Sequence, residues 1–435
     1  MASKLALSSI HPGRYPRLVP ELVRQIRRAV ARHRRAMASL TEELVRIPTE
    51  NPPGQNYRAC AELLARRMCR LGLAARVEKI PPLKSSPANQ PQEPAAEPRY
   101  SVRASYGAGR PALYFHGHYD VVPASSSAQF RARRRNSSIY GRGSGDMKAG
   151  LAAMIYAVRA LMDLKFKLRG RIEIVCVPDE ETGGRRGTAA LFARGAIGGH
   201  AVAMLTPEPT GGVIWNASRG AVSLRVRIKG KPAHVGLSFR GVNAFEQMLA
   251  VARAFEKEKR RVSRRSTRYR IAPAAARRSI LLIGGRCEGG VNFNAVPADC
   301  AFTLDRRINP EENLAAEKAR LLQTLARARR RGVHLDWEII QQGDSAGLAE
   351  THPVARTLAH AAQAVTGRPC AFEMCPGLLE TRFYAARGIP ALAYGPGLLS
   401  VAHGPNEFVS LRAMESCAVV YALVAACLLG EEAHR

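Results

Sequence analysis

Apolar runs too short to be helices alternate with amphipathic stretches through roughly the first half of this chain. Residues 112–115, 171–177 and 201–205 are short, nearly continuous apolar segments, as strands covered on both faces are. Between them, residues 147–164 and 187–194 read as helices, and further helices are expected from Leu40 and over 59–71, separated by the loop Thr49-Glu50-Asn51-Pro52-Pro53-Gly54. This alternation predicts an α/β fold with a mostly parallel central sheet and helices on both faces. After Thr210 the period changes. Residues 221–229 alternate apolar and polar side chains, as a half-exposed antiparallel strand does. A helix over 243–259, strands at 280–284 and 301–306, a basic helix over 312–331 and a strand at 334–340 follow. Strand-helix-strand-strand-helix-strand is the ferredoxin-like order. Parallel-sheet grammar then returns through 358–366, 383–386 and 391–394. The chain is therefore read as a large domain over 1–214 and 341–435, with a smaller α+β domain inserted at 215–340.

Length and composition add limits. A chain of 435 residues with 46% hydrophobic content suits two globular domains. No run of 18 or more apolar residues is present, so no membrane span is expected. Leu5-Ala6-Leu7 is too short for a signal-peptide core, and residues 19–37 read as a basic surface helix. Residues 81–98, rich in Pro, Ser, Ala and Gln, read as a surface loop. The nine cysteines are scattered without a CxxC pair, which fits a reducing, cytoplasmic setting. A formal charge of +31 invites an anionic partner. The arginine clusters at 131–135, 260–270 and 327–331, however, lack interleaved aromatics and match no nucleic-acid module, so nucleic acid is not the expected ligand.

Five short motifs carry the chemistry: His116-Gly117-His118-Tyr119-Asp120, Gly143-Ser144-Gly145-Asp146, Asp179-Glu180-Glu181, Glu208-Pro209-Thr210 and Ala402-His403-Gly404. Four of them follow predicted strands, and in an open parallel sheet ligands bind beyond the carboxyl ends of strands. Together they offer two imidazoles and three or four carboxylates, a nitrogen-oxygen set without thiolate. Such a set suits a pair of catalytic divalent ions, zinc or a related ion such as cobalt or manganese. Each motif alone is weak; their convergence on one sheet edge is what points to metal-assisted hydrolysis.

These motifs resemble the co-catalytic zinc aminoacylase and carboxypeptidase family that includes acetylornithine deacetylase, succinyl-diaminopimelate desuccinylase and glutamate carboxypeptidase. The similarity runs from about Leu40 to Val409 and includes the inserted lid. It implies that His118 and Glu208 hold one metal, Glu181 and His403 the other, and Asp146 bridges both. It implies that Asp120 orients His118, and that Glu180 is the general base. In the lid, His234 resembles a histidine that reaches across a homodimer to stabilise an oxyanion. Asn294 resembles a substrate-binding amide, and Arg307 an arginine that grips a substrate carboxylate. Arg382 keeps the place of a family arginine, but Leu378 and Leu379 replace small polar residues ahead of it. The implied activity is hydrolysis of the amide of an N-acyl amino acid. A dipeptidase or carboxypeptidase with the same site, and a catalytically silent basic binding protein, are the alternatives.

Overall fold

The computed structural model describes residues 19–81 and 98–431. The predicted loop at 81–98 and the extreme N-terminus lie almost wholly outside the described residues.

Four parallel strands form the centre of a nine-stranded sheet, in the order Arg171–Val177, Ala112–His118, Ala201–Thr206, Ala391–Ala393. Their apolar runs are continuous because both faces are covered. Leu113, Phe115, Ile172 and Ile174 point into one core, built with helices Ala149–Asp163 and Leu411–Leu429. Ala112, Tyr114, Val175 and Val177 point into the other, with Leu191, Phe192 and Tyr384. This is the period-two division expected of a strand buried on both sides. The sheet edges depart from the parallel pattern. Arg99–Gly107 and Arg76–Ile80 add antiparallel strands on one side, and Ile214–Ser218 and Ala346–Gly347 on the other.

The basic segment at 19–37 is two helices, Pro20–Arg32 and Arg34–Val45, broken at His33. Ile26, Ala29 and Val30 bury into the core while the arginines stay in solvent, so amphipathic spacing rather than charge decides its place. Helix Leu411–Leu429 is long and apolar enough to cross a membrane by composition alone. Its apolar face is instead spent on the core, where Cys417–Leu423 and their neighbours are almost fully buried.

The inserted unit has the predicted order. Its antiparallel sheet runs Ile280–Gly289, Asp299–Ile308, Gly220–Lys229, Leu335–Gly343. Helices Ala244–Ser263 and Leu314–Arg330 cover one face, with Val222, Leu224, Val226 and Ile228 in a separate core. The boundaries at 215 and 340 need correction. Trp215 lies in Ile214–Ser218, which pairs with the large sheet, and the small sheet begins at Gly220 and ends at Gly343. Only Arg219 separates the two strands, so no turn signal marks the crossing.

Candidate metal centre

The sheet places His118, Glu180, Glu181 and Glu208 at or just beyond the carboxyl ends of its parallel strands. His118 is the last residue of its strand, which therefore runs past Phe115, where the apolar pattern alone placed its end. Asp179 adopts a left-handed conformation (φ 79°) after Arg171–Val177 and turns the chain so that Glu180 and Glu181 follow in a short helical turn. Its carboxylate accepts the amide of Arg186 at 2.8 Å and the hydroxyl of Thr182 at 3.1 Å, which fixes the turn from within. Glu208 follows Ala201–Thr206.

Asp146 sits at the centre. Its Oδ1 is 3.3 Å from His118 Nε2, and its Oδ2 is 3.2 Å from His403 Nε2. His403 Nε2 also lies 3.4 Å from Glu181 Oε2. Ligand atoms of His118, Asp146 and Glu208 lie within 4.8 Å of one another, and so do those of Asp146, Glu181 and His403. Asp146 Oδ1 and Glu181 Oε1 are buried yet accept no hydrogen bond. Buried carboxylate oxygens left without donors are costly, and a cation shared through Asp146 would satisfy both. The donor set therefore fits two divalent ions.

The electrostatics of the pocket are divided. Burial opposes ionisation of Asp146, but the imidazoles of His118 and His403 beside its two oxygens outweigh it and hold its carboxyl below the usual range. Burial raises Glu208 to about 8 and lifts Glu180 well above an ordinary glutamate, with the charge of Glu208 adding to the shift on Glu180. Hydrogen bonds to Asp146 and Glu181 raise His403 to about 10. A carboxyl lifted toward neutrality is suited to exchange protons.

Asp120 organises this centre rather than entering it. Its backbone carbonyl accepts a hydrogen bond from His118 Nδ1 at 3.0 Å, and its Oδ1 lies 3.5 Å from the same nitrogen. Its two oxygens accept the backbone N–H groups of Glu180 and Glu181, each at 3.2 Å, and Asn51 Nδ2 donates to Oδ2 at 2.9 Å. One residue thus sets both the His118 ring, through its carbonyl, and the turn that carries the two glutamates, through its carboxylate.

Three residues outside the predicted set complete the frame: Asn51, Arg142 and Glu407. Glu407 Oε1 accepts the N–H groups of Gly145 (2.9 Å) and Asp146 (3.0 Å), and its Oε2 meets Arg142 Nη1 at 2.8 Å. Arg142 Nη2 donates to the carbonyl of His403 at 2.9 Å. The small sheet of Arg133–Arg135, Ser138–Tyr140 and Phe408–Ser410 brings these distant segments together. Both charged residues lie four positions from a ligand, in Arg142-Gly143-Ser144-Gly145-Asp146 and His403-Gly404-Pro405-Asn406-Glu407. That spacing was the available signal.

The structure thus gathers His118, Asp120, Asp146, Glu180, Glu181, Glu208 and His403. The lid residues stay apart. His234 is exposed, and its Nδ1 accepts the N–H of Gly236; its backbone bridges Ala295, beside Asn294. Among the described residues no hydrogen bond or ion pair joins His234, Asn294 or Arg307 to the metal cluster. Arg307 forms a two-point pair with Asp305 at 2.7 and 3.0 Å. Arg382, expected at the substrate, is buried, with Nη1 on the carbonyl of Leu379 (2.7 Å) and Nη2 on that of Gly183 (2.6 Å).

Comparison with known proteins places the chain by sequence and by fold. The chain is similar to the probable succinyl-diaminopimelate desuccinylase of Staphylococcus aureus strain MRSA252, with 27% identity over 236 residues, 49% of this chain and 58% of that protein. The match therefore spans little more than half the relative's length. In fold it is similar to the di-peptidase Dug1p of Saccharomyces cerevisiae, with TM-score 0.70, 15% identity, and coverage of 93% of this chain and 98% of the other. It is also similar to the Bacillus subtilis YXEP protein, described as a dinuclear metal binding peptidase, with TM-score 0.63, 15% identity, and coverage of 92% and 99%. The sequence pattern of one family extends over residues 114–426, well over half the chain and all of the metal-ligand motifs, and on that match this chain belongs to peptidase family M20/M25/M40.

Proposed function

We propose that this protein is a two-metal amidohydrolase that removes the acyl group from an N-acyl amino acid. The observation that carries the reading is Asp146, whose two oxygens face two separate ligand groups. His118 and Glu208 would hold one ion and Glu181 and His403 the other, with Asp146 between them; zinc is the expected metal, with cobalt and manganese as alternatives. The described dinuclear character of the Bacillus subtilis neighbour supports a pair. Such a pair, when bound, would polarise an amide carbonyl and lower the pKa of water at the site. Glu180 takes the proton of the attacking water and delivers it to the leaving amine, a role its burial-raised pKa supports. Asp120 holds the His118 ring and the Glu180 turn in register throughout. Arg307, pre-aligned by Asp305, reads the α-carboxylate of the amino acid.

Turnover of the zinc-loaded protein on N-acetyl, N-succinyl and N-formyl amino acids, and on dipeptides, tests this reading. The fold likeness to a di-peptidase supports dipeptide hydrolysis as the second reading. Activity on dipeptides alone would favour it, and no amide hydrolysis would defeat both. Metal analysis of the zinc-reconstituted protein is expected to give about two equivalents. Asp146→Ala, lacking the shared ligand, is expected to lose both ions; one retained equivalent would argue against a bridge.

The lid supports a homodimer. Phe239 (78% exposed), Phe245, Leu249 and Leu282 present apolar surface on the loop after His234, on helix Ala244–Ser263 and on the free edge strand Ile280–Gly289. An apolar face beside an unpaired edge is suited to pairing about a two-fold axis. The partner subunit's His234 would then reach this chain's metal centre and stabilise the oxyanion. Inactive His234→Ala and Glu180→Ala subunits, mixed and allowed to exchange, should recover activity, since one site of each heterodimer regains both groups. Proven exchange without recovery would place His234 elsewhere. Nine cysteines scattered without a CxxC pair, most of them buried, support a reducing, cytoplasmic setting.

A further inference from the structure

Two connections join the small sheet to the large one, at Arg219–Gly220 and at Gly343–Ser345. They cross in contact: a Cβ on Gly220 would lie 2.6 Å from Ser345 N and 2.7 Å from Gly343 O. Gly343 in turn lies directly against Arg382 and Leu378. A Cβ there would come within 3.0 Å of both Arg382 Nε and Leu378 Cδ2. The strand leading to this crossing, Leu335–Gly343, has a register shift between Ile339 and Gln341 where it pairs with Gly220–Lys229. Such a bulge re-aims a side chain, and Gln341 lies over Gly183, its Nε2 3.6 Å from where a Cβ would stand.

Arg382 closes the circuit. Its guanidinium spans Leu379 O and Gly183 O, and it stacks on Phe383 with 4.2 Å from the guanidinium carbon to the ring centre. Gly183 follows Glu180, Glu181 and Thr182 in the turn that aims the two glutamates. The segment carrying Arg382 is itself anchored, because Glu380 accepts hydrogen bonds from His116 Nε2 (2.8 Å) and from Thr188. The end of the lid's last strand therefore approaches the glutamate turn at two places, beside Gly183 through Gln341 and through Gly343 against Arg382. A rotation of the lid about its two connections would act on both.

We infer that Arg382 is a positioning residue and not a substrate clamp: its planar fork ties the lid hinge to the turn that aims Glu180 and Glu181. The inference rests on the proposed amidohydrolase reading for its kinetic consequences, but not for its structural ones. A lysine carries a single ammonium and cannot span two carbonyls as a guanidinium does.

The test uses the full-length, zinc-loaded protein with Arg382→Lys, Gly343→Ala and the double variant, against N-acyl amino acids and their carboxamide analogues. Arg382→Lys is expected to lower kcat about 10- to 100-fold on acid and amide alike, as a small misplacement of a catalytic group does. KM, metal content and the acid-over-amide preference should stay as in wild type, whereas Arg307→Ala should erase that preference. Gly343→Ala should act in the same direction and add little to Arg382→Lys, because both break one linkage. Without substrate, hydrogen exchange over residues 179–188 should quicken in both single variants. Loss of the acid preference in Arg382→Lys would make it a clamp and overturn the inference, and so would unchanged exchange in both variants. A wild type that cleaves no amide would defeat the proposed function alone, since the exchange measurement still decides the linkage. Gly343→Ala carries the comparison should Arg382→Lys fail to fold.

Discussion

Glu180→Ala is expected to keep about two metal equivalents and to lose about 10²- to 10⁴-fold in turnover, the range general acid–base groups contribute. The separation follows from the wiring of the site. The Glu180 side chain belongs to neither ligand group, while its backbone N–H is held by Asp120 at 3.2 Å and is untouched by truncation. The turn should therefore stand and Glu181 keep its place. Burial lifts the Glu180 carboxyl well above the ordinary glutamate range, so it takes up a proton more readily than a solvated carboxylate. Glu180→Gln keeps the volume but not the basicity and should be as inactive as alanine. Steady-state kinetics with metal analysis on the same preparation decides the matter. Normal turnover in either variant would remove Glu180 from the mechanism, and loss of metal would make it a ligand.

A second large effect is expected at a residue that touches no substrate. Glu407→Ala should destabilise the fold by about 3–5 kcal/mol, the usual consequence of deleting one partner of a buried ion pair. It leaves the Arg142 guanidinium without its carboxylate and the N–H groups of Gly145 and Asp146 without their acceptor. Because Arg142 also holds the carbonyl of His403, the His403 loop should loosen and the metal content fall from about two equivalents toward one. Glu407→Gln keeps the acceptor oxygen and should lose less. Urea unfolding and metal analysis read the two effects separately. Near-native stability with both ions retained would show that the Arg142–Glu407 pair does not hold the loop.

The candidate metal ligands could be singled out before any coordinates because each sits in a compact motif, most of them just beyond a strand end. The apolar run before His118 or Glu208 declares a buried strand, and a polar metal-seeking residue just beyond it has one place to go, the ligand edge of the sheet. The lid was readable for a related reason. Alternation over 221–229 puts Val222, Leu224, Val226 and Ile228 on one face, which is where their own core lies. The antiparallel edges were not readable, because a short run such as Ile214–Ser218 has the same composition whichever way its neighbour runs. The boundary at Trp215 failed with it.

Charged residues show the limit most clearly. Arg142, Glu407, Arg306 and Arg382 are as polar in sequence as the many arginines on the surface, yet all four are almost fully buried. Local pattern cannot distinguish a solvated arginine from one enclosed by distant partners. Arg382 illustrates the consequence, since its motif suggested a substrate contact while its neighbours are two backbone carbonyls and Gly343 at the end of the lid's last strand.

By itself the sequence determined the alternation that builds the parallel core, the period-two strands of the lid and the identity of every metal-seeking side chain. These are properties of short segments, set by local periodicity and by what each side chain can coordinate. Only the tertiary structure decided what surrounds those side chains: the two Asp146 oxygens face separate imidazoles, Asp120 accepts the N–H groups of Glu180 and Glu181, and Glu407 and Arg142 frame the site. The pairing of Ser138–Tyr140 with Phe408–Ser410 carries Glu407 to Asp146, and the crossing at Gly220 and Gly343 carries the lid to Arg382. Those contacts join residues far apart in the chain, and their strength depends on burial, which removes the water that would otherwise satisfy each charge.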